Sequence, residues 1–159
     1  MVGVDVCDPV LRGKADFMSE NGGRFLALDI GRKKRGVAVS DSLGMTATPL
    51  GYVDASNTKK AIESVGELIR EYAPEAVVIG LPKNMDGTLG PNAERCRGIG
   101  LEISERFGVR VDEYDERFST KEAERLLITA GFSRSKRKEN NDKIAAAIIL
   151  QGYLASRGR

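Results

Sequence analysis

Histidine and tryptophan are both missing from this chain of 159 residues. Without histidine there can be no Ser-His or Cys-His nucleophile pair, and the commonest general base of enzymes is absent. Any chemistry must therefore come from carboxylates, lysines or metal-bound water. The only two cysteines, Cys7 and Cys96, lie far apart without a paired spacing. This predicts free thiols rather than a disulfide framework or a zinc site.

Long apolar runs are also lacking. No run approaches the roughly 20 residues that cross a bilayer, and the first 20 residues lack the basic start and apolar core of a secretory signal. We therefore expect a soluble, cytoplasmic protein. Because the net charge is only +2, an anionic partner would have to be held by clustered rather than overall positive charge.

The length of the chain fits one domain with a substantial core. Residues 1–23 mix glycine, proline and acidic residues without a sustained period, which is typical of a flexible extension. We expect a single folded domain over residues 24–159.

The first part of that domain predicts an antiparallel meander. Phe25 to Ile30 and Val37 to Ser40 are apolar runs separated by Gly31 and the basic run 32–35, a pattern typical of a β-hairpin. A third strand, from Ala47 to Val53, contains a proline and should lie at or near an edge of the sheet.

The rest of the domain alternates between helical and strand patterns. Apolar residues at helical spacing predict four helices, at about 56–72, 91–107, 119–130 and 141–154. Runs at 76–79 and from 109 onward predict two strands reached through helical crossovers, and therefore parallel to the first strand. The fold class is mixed α/β, with a five-stranded sheet in which a meander is followed by parallel strands.

Acidic residues follow several of these strands. Asp29 lies near the end of the first strand, Asp115 and Glu116 follow the last, and Asp142 is at the start of the final helix. Because ligands collect beyond the carboxyl ends of parallel strands, we expect these acids to converge there. Each acid also has a simpler interpretation. Asp29 could be a turn residue, Glu116 a surface ion-pair partner and Asp142 a first-turn acid that favours the helix dipole.

Crowded carboxylates require a cation. Oxygen ligands without histidine or cysteine suit Mg²⁺ or Mn²⁺, and two such ions can support phosphodiester hydrolysis. Basic residues flank the acids and could hold phosphates of a nucleic acid, although solvated loop charge is the simpler interpretation of either run alone. The candidate nucleic-acid-binding residues are Arg32, Lys33, Lys34, Arg35, Asn84, Arg117, Arg134, Lys136, Arg137 and Lys138.

Four motifs also resemble those of the YqgF family. They are Leu28-Asp-Ile-Gly31 leading to Gly36-Val-Ala-Val-Ser-Asp41, Gly80-Leu-Pro82 with Asn84-Met-Asp-Gly87, Asp115-Glu-Arg117 with Ser119-Thr120, and Asp142 before Ala145-Ala146. Members of this family are described as Holliday junction resolvases and as pre-16S rRNA nucleases. The resemblance covers residues 24 to about 156 and implies a ribonuclease H-like fold. It also implies that Asp29, Glu116 and Asp142 are catalytic, in a protein that matures the 5′ end of 16S rRNA.

The predicted enzyme is thus a metal-dependent endonuclease in which Asp29, Glu116 and Asp142 bind the metal ions. Asp115 is the alternative ligand to Glu116, because adjacent strand residues face opposite ways and the sequence does not say which of the two points inward. The partner would be structured RNA or branched DNA, and the protein a monomer or weak homodimer. Two alternatives remain open. The first is a nucleotide-phosphate binder, because Asp-x-Gly in a hairpin also resembles the phosphate loop of sugar kinases and actin-like ATPases. The second is a non-catalytic RNA-binding assembly factor.

Overall fold

The computed structural model describes residues 23–31, 33–116 and 141–157, and for residues 141–144 it describes the backbone only. Several predictions therefore lie outside the described residues. They concern the extension before residue 23, the helix at 119–130, the side chain of Asp142, and the basic residues Arg32, Arg117, Arg134, Lys136, Arg137 and Lys138. Eight elements are described: β1 (Phe25–Ile30), β2 (Lys34–Ser40), β3 (Ala47–Asp54), α1 (Thr58–Tyr72), β4 (Ala76–Leu81), α2 (Pro91–Phe107), β5 (Arg110–Asp115) and α3 (Asn141–Arg157).

The predicted sheet is confirmed. Its strand order is β3-β2-β1-β4-β5, with β3 at one edge as expected from its proline. β2 pairs antiparallel with both β1 and β3, whereas β4 pairs parallel with both β1 and β5. The apolar, β-branched run of β4 is buried along its whole length, as is usual for a central parallel strand.

Local sequence signals explain where the helices begin and end. The Asn57 side chain caps α1 by accepting a hydrogen bond from the Lys60 N–H at 3.1 Å. Pro91 occupies the first turn of α2, where its missing N–H costs nothing, and Gly108 ends that helix with a φ of 64°. In the described part of the chain, no helix has the length and apolar character required to cross a membrane.

The two faces of the sheet are covered by different helices. Alternate residues of β1, including Leu26 and Leu28, pack with α1 and α2 in one apolar core. The intervening residues, Phe25 and Ala27, pack with Ala146 and Leu150 of α3 in a second core. A side chain's position along a strand therefore decides which helix it meets.

One boundary prediction was wrong. The basic run 32–35 was expected to form the turn of the first hairpin, but β2 already begins at Lys34. Arg35 pairs in register with Ile30 of β1 and is only 2% exposed. Strand pairing extends the hairpin beyond its apolar residues, so a charged residue close to the turn became part of the core.

Candidate active site

Asp29 lies at the carboxyl end of β1, on the face of the sheet that α3 covers. It alternates with Phe25 and Ala27, which pack against α3. Its register partner on β2 is Gly36. On the other side, the parallel pairing of Leu28 with Ile79 makes Gly80 the next residue on β4. The partly buried carboxyl group of Asp29 therefore has a glycine on each neighbouring strand.

Glu116 lies against one of those glycines. A Cβ atom at Gly80 would be 2.6 Å from Glu116 Oε1 and 2.6 Å from Ile149 Cδ1. A side chain at this position would have to displace both atoms, because the space above Gly80 is shared by the carboxyl group of Glu116 and the side chain of Ile149 from α3. Glu116 thus reaches the same face as Asp29, across one strand.

The two carboxyl groups influence each other electrostatically. Burial, followed in importance by the negative charges of Asp29 and Asp115, raises the pKa of Glu116 to about 7. A carboxyl group with such a pKa is partly protonated near neutral pH. A nearby cation would favour its ionised form, which is the electrostatic requirement of a metal ligand.

The structure distinguishes Glu116 from its neighbour. Asp115 belongs to the opposite face of β5, together with Val111, which approaches Gly100 of α2, and Glu113, which forms an ion pair with Arg97 of α2. Asp115 is still close enough for its charge to raise the pKa of Glu116. Of this acidic pair, Glu116 shares the Asp29 face.

The backbone of α3 brings its first turn to the same edge. Near its end, α3 places the Arg157 guanidinium 4.4 Å from the ring centroid of Phe25, at the start of β1. Farther back, Ile149 reaches Gly80 beside Asp29. The helix therefore runs antiparallel to β1, and the turn that contains Asp142 lies toward the carboxyl end of β1. Among the described residues, no three His, Cys, Asp or Glu side chains form a group that could hold a metal ion; the side chain of the predicted third acid lies outside them.

The loop after β4 is held together by its own hydrogen bonds. Asp86 Oδ1 accepts from both the backbone N–H and the hydroxyl of Thr88, at 3.0 and 2.6 Å. The Asn84 amide donates to Thr88 Oγ1 at 3.0 Å. Asp86 is therefore a turn residue, and Asn84 is an exposed side chain whose amide is hydrogen-bonded within the loop.

The described basic residues at the first hairpin occupy different environments. Lys33 is exposed at the turn, and Lys34 is exposed on β2, where its Nζ lies 4.5 Å from the ring centroid of Tyr52. Arg35 points to the α1 and α2 face with Val37 and Val39. Its guanidinium is buried, so in this conformation it is separated from the Asp29 face by the sheet.

Residues that the sequence analysis did not single out complete the surroundings. Gly36 and Gly80 provide the space beside Asp29, and Ile149 packs next to Glu116. Glycines within apolar strands signal a close approach of another group, which was the available clue. Cys96 is a free, buried thiol, as expected; Cys7 lies outside the described residues.

Comparison with known proteins agrees with this geometry. Residues 23–156 match a family model described as "RuvX: Holliday junction resolvase". A relative from Lactococcus lactis named "Putative pre-16S rRNA nuclease" is 47% identical over 133 residues, which cover 82% of this chain and 93% of the relative. A relative of the same name from Bacillus cytotoxicus is 46% identical over 136 residues, covering 84% of this chain and 99% of its own.

Solved structures show the same fold at low sequence identity. A Fowlpox virus resolvase in complex with Holliday junction DNA superposes with a TM-score of 0.54 and 17% identity, covering 86% of this chain and 99% of that chain. Thermus thermophilus RuvC in complex with a Holliday junction substrate superposes with a TM-score of 0.51 and 20% identity, covering 85% of this chain and 95% of that chain. These similarities confirm the predicted ribonuclease H-like fold.

Proposed function

The chain belongs to the RuvX family of Holliday junction resolvases, also called YqgF, and from this membership we propose that it is a divalent-metal-dependent endonuclease that matures the 5′ end of pre-16S rRNA in the cytoplasm. The family consists of nucleases, which are hydrolases of phosphodiester bonds. The observation that supports a working active site is the convergence of Asp29 and Glu116 on one face, at the carboxyl edge of the sheet. The names of the relatives support the choice of RNA.

The residues at this edge suit a divalent ion. Asp29 and Glu116 offer only oxygen atoms, the chain has no histidine, and hard cations such as Mg²⁺ and Mn²⁺ prefer oxygen ligands. Burial and the charges of Asp29 and Asp115 raise the pKa of Glu116 and so disfavour a negative charge there. A bound cation would compensate it.

We assign Asp29, Glu116 and Asp142 as the residues that would hold the metal. Position 142 precedes Ala146 by four residues and Ile149 by seven, so it falls on the helical stripe of α3 that packs against the sheet. When bound, divalent ions supply activation of a water nucleophile and stabilisation of the leaving oxygen in phosphodiester cleavage.

The chain's own residues contribute orientation and phosphate binding. Gly36 and Gly80 leave room beside Asp29, and the packing of Ile149 against Glu116 restricts where that carboxyl group can lie. The exposed Lys33 and Lys34 would contact substrate phosphates. The same role is proposed for Asn84, for Arg32, Arg117 and Arg134, and for Lys136, Arg137 and Lys138.

The decisive test replaces one carboxyl group by an amide of nearly the same size and shape. Asp29→Asn should abolish Mg²⁺- or Mn²⁺-dependent cleavage of a precursor rRNA, while thermal unfolding and RNA binding stay close to those of the unmodified protein. Glu113→Gln is the matched control, because its carboxyl group lies on the opposite face in an exposed ion pair. Undiminished cleavage by Asp29→Asn would refute the assignment of this site.

A second candidate substrate is the DNA four-way junction, favoured by the description of the matching family and by the two structural relatives bound to junction DNA. Parallel assays on a precursor rRNA and a mobile four-way junction, each with Mg²⁺, Mn²⁺ or EDTA, separate the two. Symmetric nicking of the junction requires two active sites and hence a homodimer, so the mass of the complex should be measured in the same samples.

The same assays address the remaining alternatives. Tight ATP–Mg²⁺ binding without cleavage of either substrate would favour a nucleotide-phosphate binder. RNA binding that persists in EDTA, without cleavage under any condition, would favour a non-catalytic assembly factor.

A further inference from the structure

Tyr52 is an unusually exposed aromatic residue. It lies near the end of the edge strand β3 and is 57% exposed. The ammonium group of Lys34, on the neighbouring strand, lies 4.5 Å from the centroid of its ring. A cation is attracted to the π-electrons on the face of an aromatic ring. Tyr52 therefore presents to solvent an aromatic surface that has a lysine cation beside it.

The strand register places this ring on the same face as the candidate active site. Tyr52 pairs with Gly36, and Gly36 pairs with Asp29. Paired residues in neighbouring strands point to the same face, so Tyr52 and Asp29 belong to one row across β3, β2 and β1. The residue between them on β2 is a glycine. Two strand spacings separate the two backbone positions, about 10 Å.

The surrounding charges suit a polyanion. Lys34 and Lys33 are both exposed at the same end of β2. The nearest acid in the register is Asp54, which pairs with Lys34, and its carboxylate accepts a hydrogen bond from the Ser56 N–H at 2.9 Å. An aromatic ring beside lysines is the combination that binds single-stranded nucleic acid, because the ring stacks on a base and the cations attract phosphates.

We propose that Tyr52 and Lys34 form a platform for one unpaired nucleobase of the substrate strand, next to the phosphate that is cleaved at the Asp29 edge. Tyr52 stacks on the base, and Lys34 contacts the adjacent phosphate. The inference rests on the proposed nuclease function and deepens it, since the platform selects substrates whose bases are unpaired beside the cleavage site. Stacking is tolerant of base identity, so the platform selects strandedness rather than sequence.

A direct test uses the absence of tryptophan from the chain. Tyr52→Trp introduces the only tryptophan of the chain at the platform, and stacking of a base should quench its emission, excited selectively at long wavelength, when a single-stranded oligonucleotide is added in EDTA. Leu101→Trp is the matched control, because Leu101 is 59% exposed but lies on α2, on the other side of the sheet. We expect quenching at position 52 with single strands, weaker quenching with a blunt duplex, and none at position 101. Equal quenching at both positions, or none at either, would overturn the platform.

Binding measurements provide a second, independent test. Tyr52→Ala should weaken binding of an RNA with unpaired bases about tenfold or more, while Tyr52→Phe, which keeps the ring, should bind as the unmodified protein does. Lys34→Gln should lower the slope of log K against log salt by about one. Leu101→Ala should change neither property. Wild-type affinity in Tyr52→Ala would refute the inference.

The two proposals can fail separately. Binding is measured without metal, so quenching at position 52 in a protein that cleaves nothing would retain the platform and reject the nuclease. Cleavage that is unaffected by Tyr52→Ala on partly unpaired substrates would retain the nuclease and reject the platform.

Discussion

At the residue scale, the ionisation of Glu116 links stability to function. Burial, with added repulsion from Asp29 and Asp115, raises its pKa to about 7, whereas a glutamate in an unfolded chain has a pKa near 4.3. The folded protein therefore binds this proton more tightly than the unfolded chain does. Its contribution to stability is complete below the unfolded pKa and is lost as the pH rises through about 7.

Glu116→Gln should consequently stabilise the metal-free protein at alkaline pH, because glutamine does not ionise. The difference in melting temperature between this variant and the unmodified protein should grow from pH 4.5 to pH 8, as measured by circular dichroism in EDTA. Glu113→Gln should show no such growth. Mg²⁺ or Mn²⁺ should raise the melting temperature of the unmodified protein at pH 8 more than that of Glu116→Gln, and an equal rise in both would argue against Glu116 as a ligand.

Arg35 shows the cost of a charged residue in a core. Its side chain is 2% exposed, and neither Nε nor Nη1 hydrogen-bonds to any residue in the described part of the chain. Burial lowers the pKa of its guanidinium, and the positive charge of Arg95 lowers it further. The charge of Glu102 acts in the opposite direction but is a smaller effect. Because a buried charge with unbonded N–H groups is costly, we expect this residue to work against the stability of the fold.

Replacing Arg35 by an apolar residue of similar length should therefore stabilise the protein. We expect Arg35→Met to raise the free energy of unfolding by about 1–4 kcal/mol, measured by urea denaturation. Lys33→Met, at a neighbouring exposed position, should change it by less than about 0.5 kcal/mol. A destabilised Arg35→Met would mean that the guanidinium has a partner in the folded protein.

At the element scale, the site depends on how closely α3 and β5 approach β4. A Cβ at Gly80 would collide with Glu116 Oε1 and Ile149 Cδ1, both at 2.6 Å. Both atoms are the ends of flexible side chains, so an added Cβ would displace these side chains rather than the backbone, and overfilling costs at most about 1–3 kcal/mol.

Gly80→Ala should therefore lower the stability by no more than about 1–3 kcal/mol and reduce cleavage more than substrate binding, because Glu116 is displaced. Gly98→Ala is the matched control: an added Cβ there has no neighbour within 4 Å among the described residues, and the residue lies inside α2. Alanine in a helix is favoured over glycine by up to about 1 kcal/mol, so this control should be neutral or stabilised. Unfolding curves and steady-state kinetics of both variants test the difference.

Strand alternation, rather than residue type, separates the two neighbouring acids of the last strand. Asp115 follows Val111 and Glu113 on the α2 face, whereas Glu116 comes to lie at Gly80 on the α3 face. The sequence shows both acids and implies that neighbouring strand residues face opposite sides of the sheet. It does not show the strand register that decides which of the two acids faces α3. For the same reason, Tyr52 could not be recognised as a neighbour of Asp29 before the pairing of β3, β2 and β1 was known.

At the scale of the whole molecule, the described structure and the family match both begin at residue 23. The Arg24 carbonyl accepts a hydrogen bond from the Glu75 N–H at 2.7 Å, which joins the start of this segment to the turn before β4. A chain that begins at Gly23 after its initiator methionine should therefore unfold at the same temperature as the full chain. It should also cleave the same substrates, as measured by calorimetry and the cleavage assay. A lower melting temperature would show that residues before 23 contribute to the fold.

The sequence by itself determined the order and type of the described elements, because apolar periodicity, capping residues and glycine stops act over a few neighbouring residues. It also supplied the acids and the family motifs, since the identity of each side chain is independent of conformation. Only the tertiary structure decided that Arg35 is buried, that Glu116 rather than Asp115 shares a face with Asp29, and that Tyr52 stands in the same row. These outcomes depend on strand register and helix packing between distant segments, and a shift of register by one residue would have exchanged the two faces.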